Sequence, residues 1–233
     1  IAPKHNGKIH AIAFVSAYDK LEKVELIQDG NVIAGKYNFQ AKNEDENIGF
    51  VSFMFGWGKK HKSASWDVSI DVKNGKVLCA TPRLRGIDMV DPLDVPEDSN
   101  SVLPHFSIDG NNISLHVVTD GNATAQTDST NGFVIELDGN DKTEIIVKAK
   151  ITWNNETFDR EYKYSLSDLK KEQTSEYIDG FVSPAIEIGR FVPKSETLAH
   201  IDVEIDSESQ GAIYMRAYEK HGDAVFTSPV SFR

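Results

Sequence analysis

The 233-residue chain is poor in cysteine, in long apolar runs and in basic residues, and each deficit excludes a class of protein. With one cysteine, Cys79, no intrachain disulfide can form, so the fold must rest on packing alone. Cys79 lies in the apolar run Val77-Leu78-Cys79-Ala80, where a free thiol behaves as a small hydrophobe, and it is expected to be buried. No stretch approaches the ~18 apolar residues of a membrane span, so none is expected. Lys and Arg total 25 against 36 Asp and Glu, a formal net charge of −11. Binding to a phosphate backbone needs clustered cations that displace counterions, so no nucleic-acid partner is expected either.

Local signatures of catalysis are missing as well. The histidines are His5, His10, His61, His105, His116, His200 and His221, and none forms His-x-His, His-x-x-x-His or His-Glu-x-x-His. There is no Gly-x-Ser-x-Gly elbow, no Walker loop and no strand-linked Gly-x-Gly-x-x-Gly. Acid-rich stretches at 43–47, 88–98 and 138–141 lack the spacing of a calcium loop and read as solvated turns. No catalytic residue, metal ligand or cofactor is therefore assigned to this chain. His10, His116 and His200 fall inside expected strands, which leaves an enzyme site spanning strands as a minor reading.

What is abundant is alternation with a period of two. Residues 8–18 (KIHAIAFVSAY) are apolar on both faces near their centre, as an inner strand would be. Residues 24–28 and 32–39 flank Asp29-Gly30-Asn31, a hairpin signal with residues that accept positive φ. In 47–57 (NIGFVSFMFGW) both faces look buried. Residues 65–72 set Trp66, Val68, Ile70 and Val72 against Ser65, Asp67, Ser69 and Asp71, so one face is solvated. Asn74-Gly75 then predicts a tight type I′ turn with a returning strand at 76–81.

Residues 83–100 carry two prolines, directly after Pro82, and read as a long surface loop, the best place for an internal boundary. Strands follow at 102–108 and 113–119 about a turn at Asp109-Gly110, then at 132–137, 143–153 and 157–166. Only 165–173 (SLSDLKKEQ) looks helical, with Ser165 or Ser167 as cap, a connector of about two turns. Further strands are expected at 177–192, broken at Pro184, and at 198–205, 212–219 and 224–232. The expected fold is all-β: an antiparallel β-sandwich, jelly-roll or Ig-like, with one short connector helix and residues 1–233 as a single domain. The opening at Ile1, without methionine or a basic-then-apolar leader, reads as a processed or trimmed product.

Flat aromatic rings can stack on a sugar, and Trp57, Trp66, Trp153, Tyr162 and Tyr164 are the inventory for it. Trp66 aligns with Val68 and Ile70 and reads as core, which leaves Trp57 and Trp153 as the candidate ligand-binding residues. The sequons at Asn112, Asn122 and Asn155 carry little information at this composition.

Three ordered segments carry a resemblance. The ending Gly211-Ala212-Ile213-Tyr214-Met215-Arg216-Ala217-Tyr218-Glu219, with Ala224-Val225-Phe226-Thr227-Ser228-Pro229-Val230, resembles the closing hairpin of the β-sandwich that follows the catalytic barrel in some PHP-superfamily hydrolases. There a "Tyr-x-Arg-Val" strand turns at "Asp-Gly" and returns through "Ala-Trp-Ser-Ser-Pro-Ile". Leu21 to Gly30 resembles their "Val-Glu-x-Ile-x-Asn-Gly" strand, and Trp66-Asp67-Val68-Ser69-Ile70 with Asn74-Gly75-Lys76-Val77-Leu78 resembles their "Trp-x-Gly-x-(Ile/Val)…Gly-x-Ile" hairpin. Phe226 stands where the family usually has Trp and Val68 where Gly is common, and 82–191 aligns with no motif.

The resemblance implies a non-catalytic accessory domain packing on or capping the barrel of a metal-dependent hydrolase or phosphoesterase. The divalent metals would belong to that barrel, which begins with His-x-His, and no catalytic residue carries over to this chain. An N-terminal catalytic domain or another protein is the implied partner. The alternative reading of the residues is an extracellular carbohydrate- or protein-binding module.

Overall fold

The computed structural model describes residues 8–41, 46–57, 63–84, 104–119, 130–181, 183–206, 211–220 and 222–232. Among the described residues the fold is all-β and antiparallel, with one short α-helix. The chain groups into two compact units, Ile1–Glu46 with Val192–Arg233, and Asn47–Phe191, so in sequence the second interrupts the first. The boundary expected at 83–100 falls largely on 85–103, outside the described residues.

In the first unit β1 (Lys8–Ser16) pairs with β13 (Leu198–Asp206). A second sheet runs β15 (Ala224–Phe226), β14 (Gly211–Glu219), β2 (Leu21–Gln28), β3 (Asn31–Tyr37), with β16 (Val230–Phe232) also on β14. The hairpin expected about Asp29-Gly30-Asn31 forms, closing on Asp29 and Gly30 at φ 48° and 85°, with Asn31 already in β3. Ala13, Ala199 and Ile201 from the first sheet meet Val24, Leu26 and Ala217 from the second in one core. β1 has a single strand partner among the described residues, which corrects its expected place as an inner strand.

The second unit is one sheet folded on itself. Its order is β10 (Thr174–Tyr177), β11 (Ala185–Ile188), β4 (Ile48–Trp57), β8 (Asn131–Trp153), β5 (Ala64–Arg83), β7 (Asn112–Thr119), β6 (His105–Asp109), with β9 (Glu156–Ser165) beside β8. Residues 64–73 of β5 pair with the C-terminal half of β8, and residues 75–83 with its N-terminal half. The two long strands bend together, and the halves of the sheet face each other across a core of Phe53, Phe55, Trp66, Ile113, Phe133 and Ile151. Contacts across it include Phe106–Phe133 and Phe55–Trp66, with ring centroids 5.4 and 5.7 Å apart.

That bend corrects the hairpin expected at Asn74-Gly75. Asn74 does adopt φ 55°, yet it serves a bulge within a continuous strand, because β8 offers a partner to both halves of β5. Likewise 138–142 on β8 is no loop between strands but the matching irregularity. Asn111, in the β6–β7 turn, plugs the bend: its amide donates to the carbonyls of Val72 (2.9 Å) and Gly75 (2.8 Å), and its side-chain oxygen accepts from the Val77 N–H (2.9 Å). Thr143, fully buried, donates to the Asn74 carbonyl (2.8 Å) and accepts from the Asn140 N–H (2.9 Å). A second bulge between Val77 and Cys79 shifts the alternation by one residue. Ala80 therefore turns inward and Cys79 is exposed, the reverse of its expected burial.

The helix α1 (Leu166–Leu169) spans four residues, shorter than expected, with Ser165 as the cap: its hydroxyl accepts from the Asp168 N–H at 3.2 Å. β12 (Val192–Pro193) and a 3₁₀ turn at Lys194–Glu196 precede β13.

Asn111→Ala removes three hydrogen bonds and strands partly buried backbone groups, so it is expected to cost about 2–4 kcal/mol, read from denaturant unfolding. A loss no larger than that of an exposed Asn→Ala control would show that the plug does not hold the bend.

Candidate functional site

In the second unit, burying Trp66, Val68 and Ile70 forces Asp67 and Ser69 to the opposite face, and the same alternation acts on β7, β8 and β9. Strand register then lines up His105, His116, Asp67, Lys150 and Asp159 as direct neighbours across five strands. The adjacent row is Ser107, Ser114, Ser69, Lys148 and Glu161. All of them but Ser107 line an open trough of about 620 Å³. His116 Nδ1 is hydrogen-bonded to Asp67 Oδ1. The Ser107 and Ser114 hydroxyls lie 2.7 Å apart, and Lys148 is 4.0 Å from Glu161. Exposed pairs of this kind contribute little stability, about 0–1 kcal/mol each.

In the first unit the outer face of β1–β13 is divided. At one end Phe14 stacks on His200 (4.4 Å, 10° between planes) beside Ile12 and Leu198, over a hollow of about 490 Å³ that Lys36 and Ser195 also line. At the other end His10 Nδ1 is 2.9 Å from Asp202, and Lys8 pairs with Glu204. The hydrogen bond and charge of Asp202 raise the His10 pKa above its ordinary value. Phe14 is 75 % exposed, Ile12 55 % and Leu198 40 %, which is high for large apolar side chains sharing one small face.

The β15–β14–β2–β3 sheet of that unit holds a different polar group. Arg216 on β14 stands directly opposite Glu25 on β2, with Nε 2.6 Å from its carboxylate, and the Tyr37 hydroxyl donates to the same carboxylate at 2.7 Å. Tyr37 reaches it by lying over Gly35, where an added Cβ would fall 2.5 Å from the Tyr37 oxygen. The Tyr37 hydrogen bond, with Arg216, holds the buried Glu25 carboxyl below its usual range. This group is structural.

The aromatic residues considered for sugar stacking are placed elsewhere. Trp66 is fully buried, its Nε1 donating to Thr119 at 2.8 Å. Trp153, Tyr162 and Tyr164 are partly buried against the second unit's core, with Trp153 6.4 Å from Phe158 between ring centres. Burial drives the Tyr162 and Tyr164 hydroxyl pKa values upward. The backbone of Trp57 ends β4; its side chain lies outside the described residues.

His10, His116 and His200 are not assembled into one site. His10 stands opposite Glu204, His200 opposite Phe14, and His116 belongs to the other unit. Sequence reasoning missed His105 beside His116 because it set the turn at Asp109-Gly110, one residue early; counting outward from the observed turn at Gly110-Asn111 pairs them. Among the described residues no three of His, Cys, Asp and Glu converge as a ready metal cage. No helix among them is long and apolar enough to cross a membrane. No known protein family, curated protein or solved structure matches the chain.

A depressed carboxyl pKa contributes stability that is fully present above the ordinary unfolded value of about 4.5 and is lost as pH falls through the folded one. Glu25→Gln is therefore expected to be clearly less stable than the parent at pH 7, with the difference shrinking below about pH 4.5 in denaturant melts at stepped pH. A difference constant across pH would remove the charge from the account.

Proposed function

We propose that the chain is a non-catalytic accessory β-sandwich module that docks on another domain through the outer face of β1–β13. Its parent is a PHP-type metal-dependent hydrolase, and the docking partner is that enzyme's barrel. The observation that carries the docking is the uncovered apolar end of a strand whose sequence is apolar on both faces: Ile12, Phe14 and Leu198 offer a compact hydrophobic anchor. The flanking Lys8, His10, Asp202 and Glu204 supply a charged rim that fixes orientation. Apolar centres with polar rims are the usual anatomy of a protein interface, and large aromatic side chains dominate its energy.

Support for the parent family comes from the motifs that resemble it. The strand with Tyr214-Met215-Arg216 and the strand with Val24-Glu25-Leu26-Ile27 are neighbours, and their two charged residues form one ion pair. The motif residues thus have a shared structural reason. The third resembling segment, around Asn74-Gly75, lies in the other unit on a bent strand.

The coding sequence upstream of Ile1 is expected to specify a barrel with His-x-His; its absence would overturn the hydrolase assignment. Phe14→Asp in the chain is expected to weaken association with that barrel at least ~30-fold by calorimetry, since truncating an interface anchor costs about 2 kcal/mol or more. Unchanged affinity, with the fold intact by circular dichroism, would remove this face as the docking surface.

A further inference from the structure

We propose that His105 and His116 form an open two-imidazole site for a late first-row divalent cation such as Zn²⁺ or Cu²⁺, with Asp67 orienting His116. This inference is independent of the docking reading, since it concerns a different unit and a different face. His105 and His116 are direct cross-strand partners, so their side chains leave the same face of the sheet from Cβ positions roughly 5 Å apart. Imidazole nitrogens bind Zn²⁺ at about 2.0–2.1 Å, a geometry two such rings reach by rotation about χ1 and χ2.

The third residue in the row supplies what a pair of surface histidines usually lacks. Asp67 is the direct neighbour of His116 on the side away from His105 and is hydrogen-bonded to its Nδ1. A carboxylate there holds the ring proton on Nδ1, which leaves the lone pair of Nε2 available to a metal. The nearest ammonium of the row, Lys150, lies beyond Asp67 and so is separated from the histidine pair by an anion. On the adjacent rung the pair is flanked by Ser107 and Ser114, which are neutral. His105 is exposed, His116 is partly so, and both line the trough, so an ion and its waters have access.

With two protein ligands the remaining coordination positions stay with water or an exogenous anion, so this is a surface site of modest affinity rather than a structural cage. Imidazole selects Cu²⁺ and Zn²⁺ over Mg²⁺ and Ca²⁺, which prefer oxygen. The orienting carboxylate is a positioning residue and acts only through His116.

The test is titration of the full chain with Zn²⁺ and with Cu²⁺ against a chromophoric competitor, alongside Mg²⁺ and Ca²⁺. One equivalent is expected, tighter for Cu²⁺ than for Zn²⁺, with no competing Mg²⁺ or Ca²⁺ binding. His105→Ala and His116→Ala should each weaken it at least tenfold, and Asp67→Asn about 10–100-fold, the usual effect of removing an orienting partner. Electron paramagnetic resonance of the Cu²⁺ form should show coupling to two imidazole nitrogens, falling to one in His105→Ala. All these side chains are at least partly exposed, so unchanged thermal unfolding of the variants is the expected control. Retention of the equivalent in the His105→Ala/His116→Ala double variant would assign it to other histidines and overturn the site. No binding below millimolar metal would overturn it too. Full affinity in Asp67→Asn would overturn the orienting role.

Discussion

The second unit depends on one constraint: two long antiparallel strands must bend at the same place without leaving backbone groups unpaired. A buried N–H or C=O without a partner costs about as much as a lost hydrogen bond, so a bulge at mid-strand is tolerated only if something replaces the ladder there. Asn111 does so from outside the strands, with an amide that both donates and accepts, so one side chain serves three backbone groups. Thr143 does so from within β8. Given the bend, β5 and β8 belong to both halves of the sheet, and residues such as Phe133 and Phe106 are brought face to face. Without it the sheet would expose the face that now buries Trp66 and Phe55.

The first unit solves a different problem, the cost of a buried carboxylate. An isolated charge in the interior is expensive, and removing one partner of a buried pair is worse than never having built it. Glu25 is supplied with both a guanidinium and a phenol, and the phenol reaches it only because residue 35 is glycine. Register enters directly: Arg216, Glu25 and Gly35 are neighbours on three successive strands. A slip of one residue would bury Glu25 without its partner, so the pair selects the native register as much as it stabilises it.

Much of this was legible because alternation survives in the sequence wherever one face is buried. The Trp66-to-Val72 run, the Asp29-Gly30 hairpin and the Ser165 cap each have a local cause and formed as read. What failed was whatever a distant partner decides. Asn74-Gly75 is equally suited to a tight turn and to a bulge, and only the presence of β8 along both halves of β5 selects the bulge. Cys79 was assigned by its apolar neighbours, but the bulge just before it inverts the alternation. The His105–His116 row was hidden for the same reason: no spacing in the chain encodes residues joined across strands, although the intervening turn fixes the count.

The failure at β1 is of another kind, and it is the most informative. The sequence puts apolar residues on both faces of this strand, and only one of them is covered by the core shared with β2 and β14. A strand of this composition carries the expectation of two covered faces. Its outer face is neither uniformly apolar nor uniformly charged: the aromatic stack of Phe14 on His200 gives way along the same two strands to the His10–Asp202 pair. A uniformly apolar face would favour indiscriminate association, since hydrophobic contact has no direction. Charges at one end penalise every approach that buries them unpaired, so the division restricts which partners fit and in which orientation. The strand's sequence therefore carries more apolar surface than the core of its own unit covers.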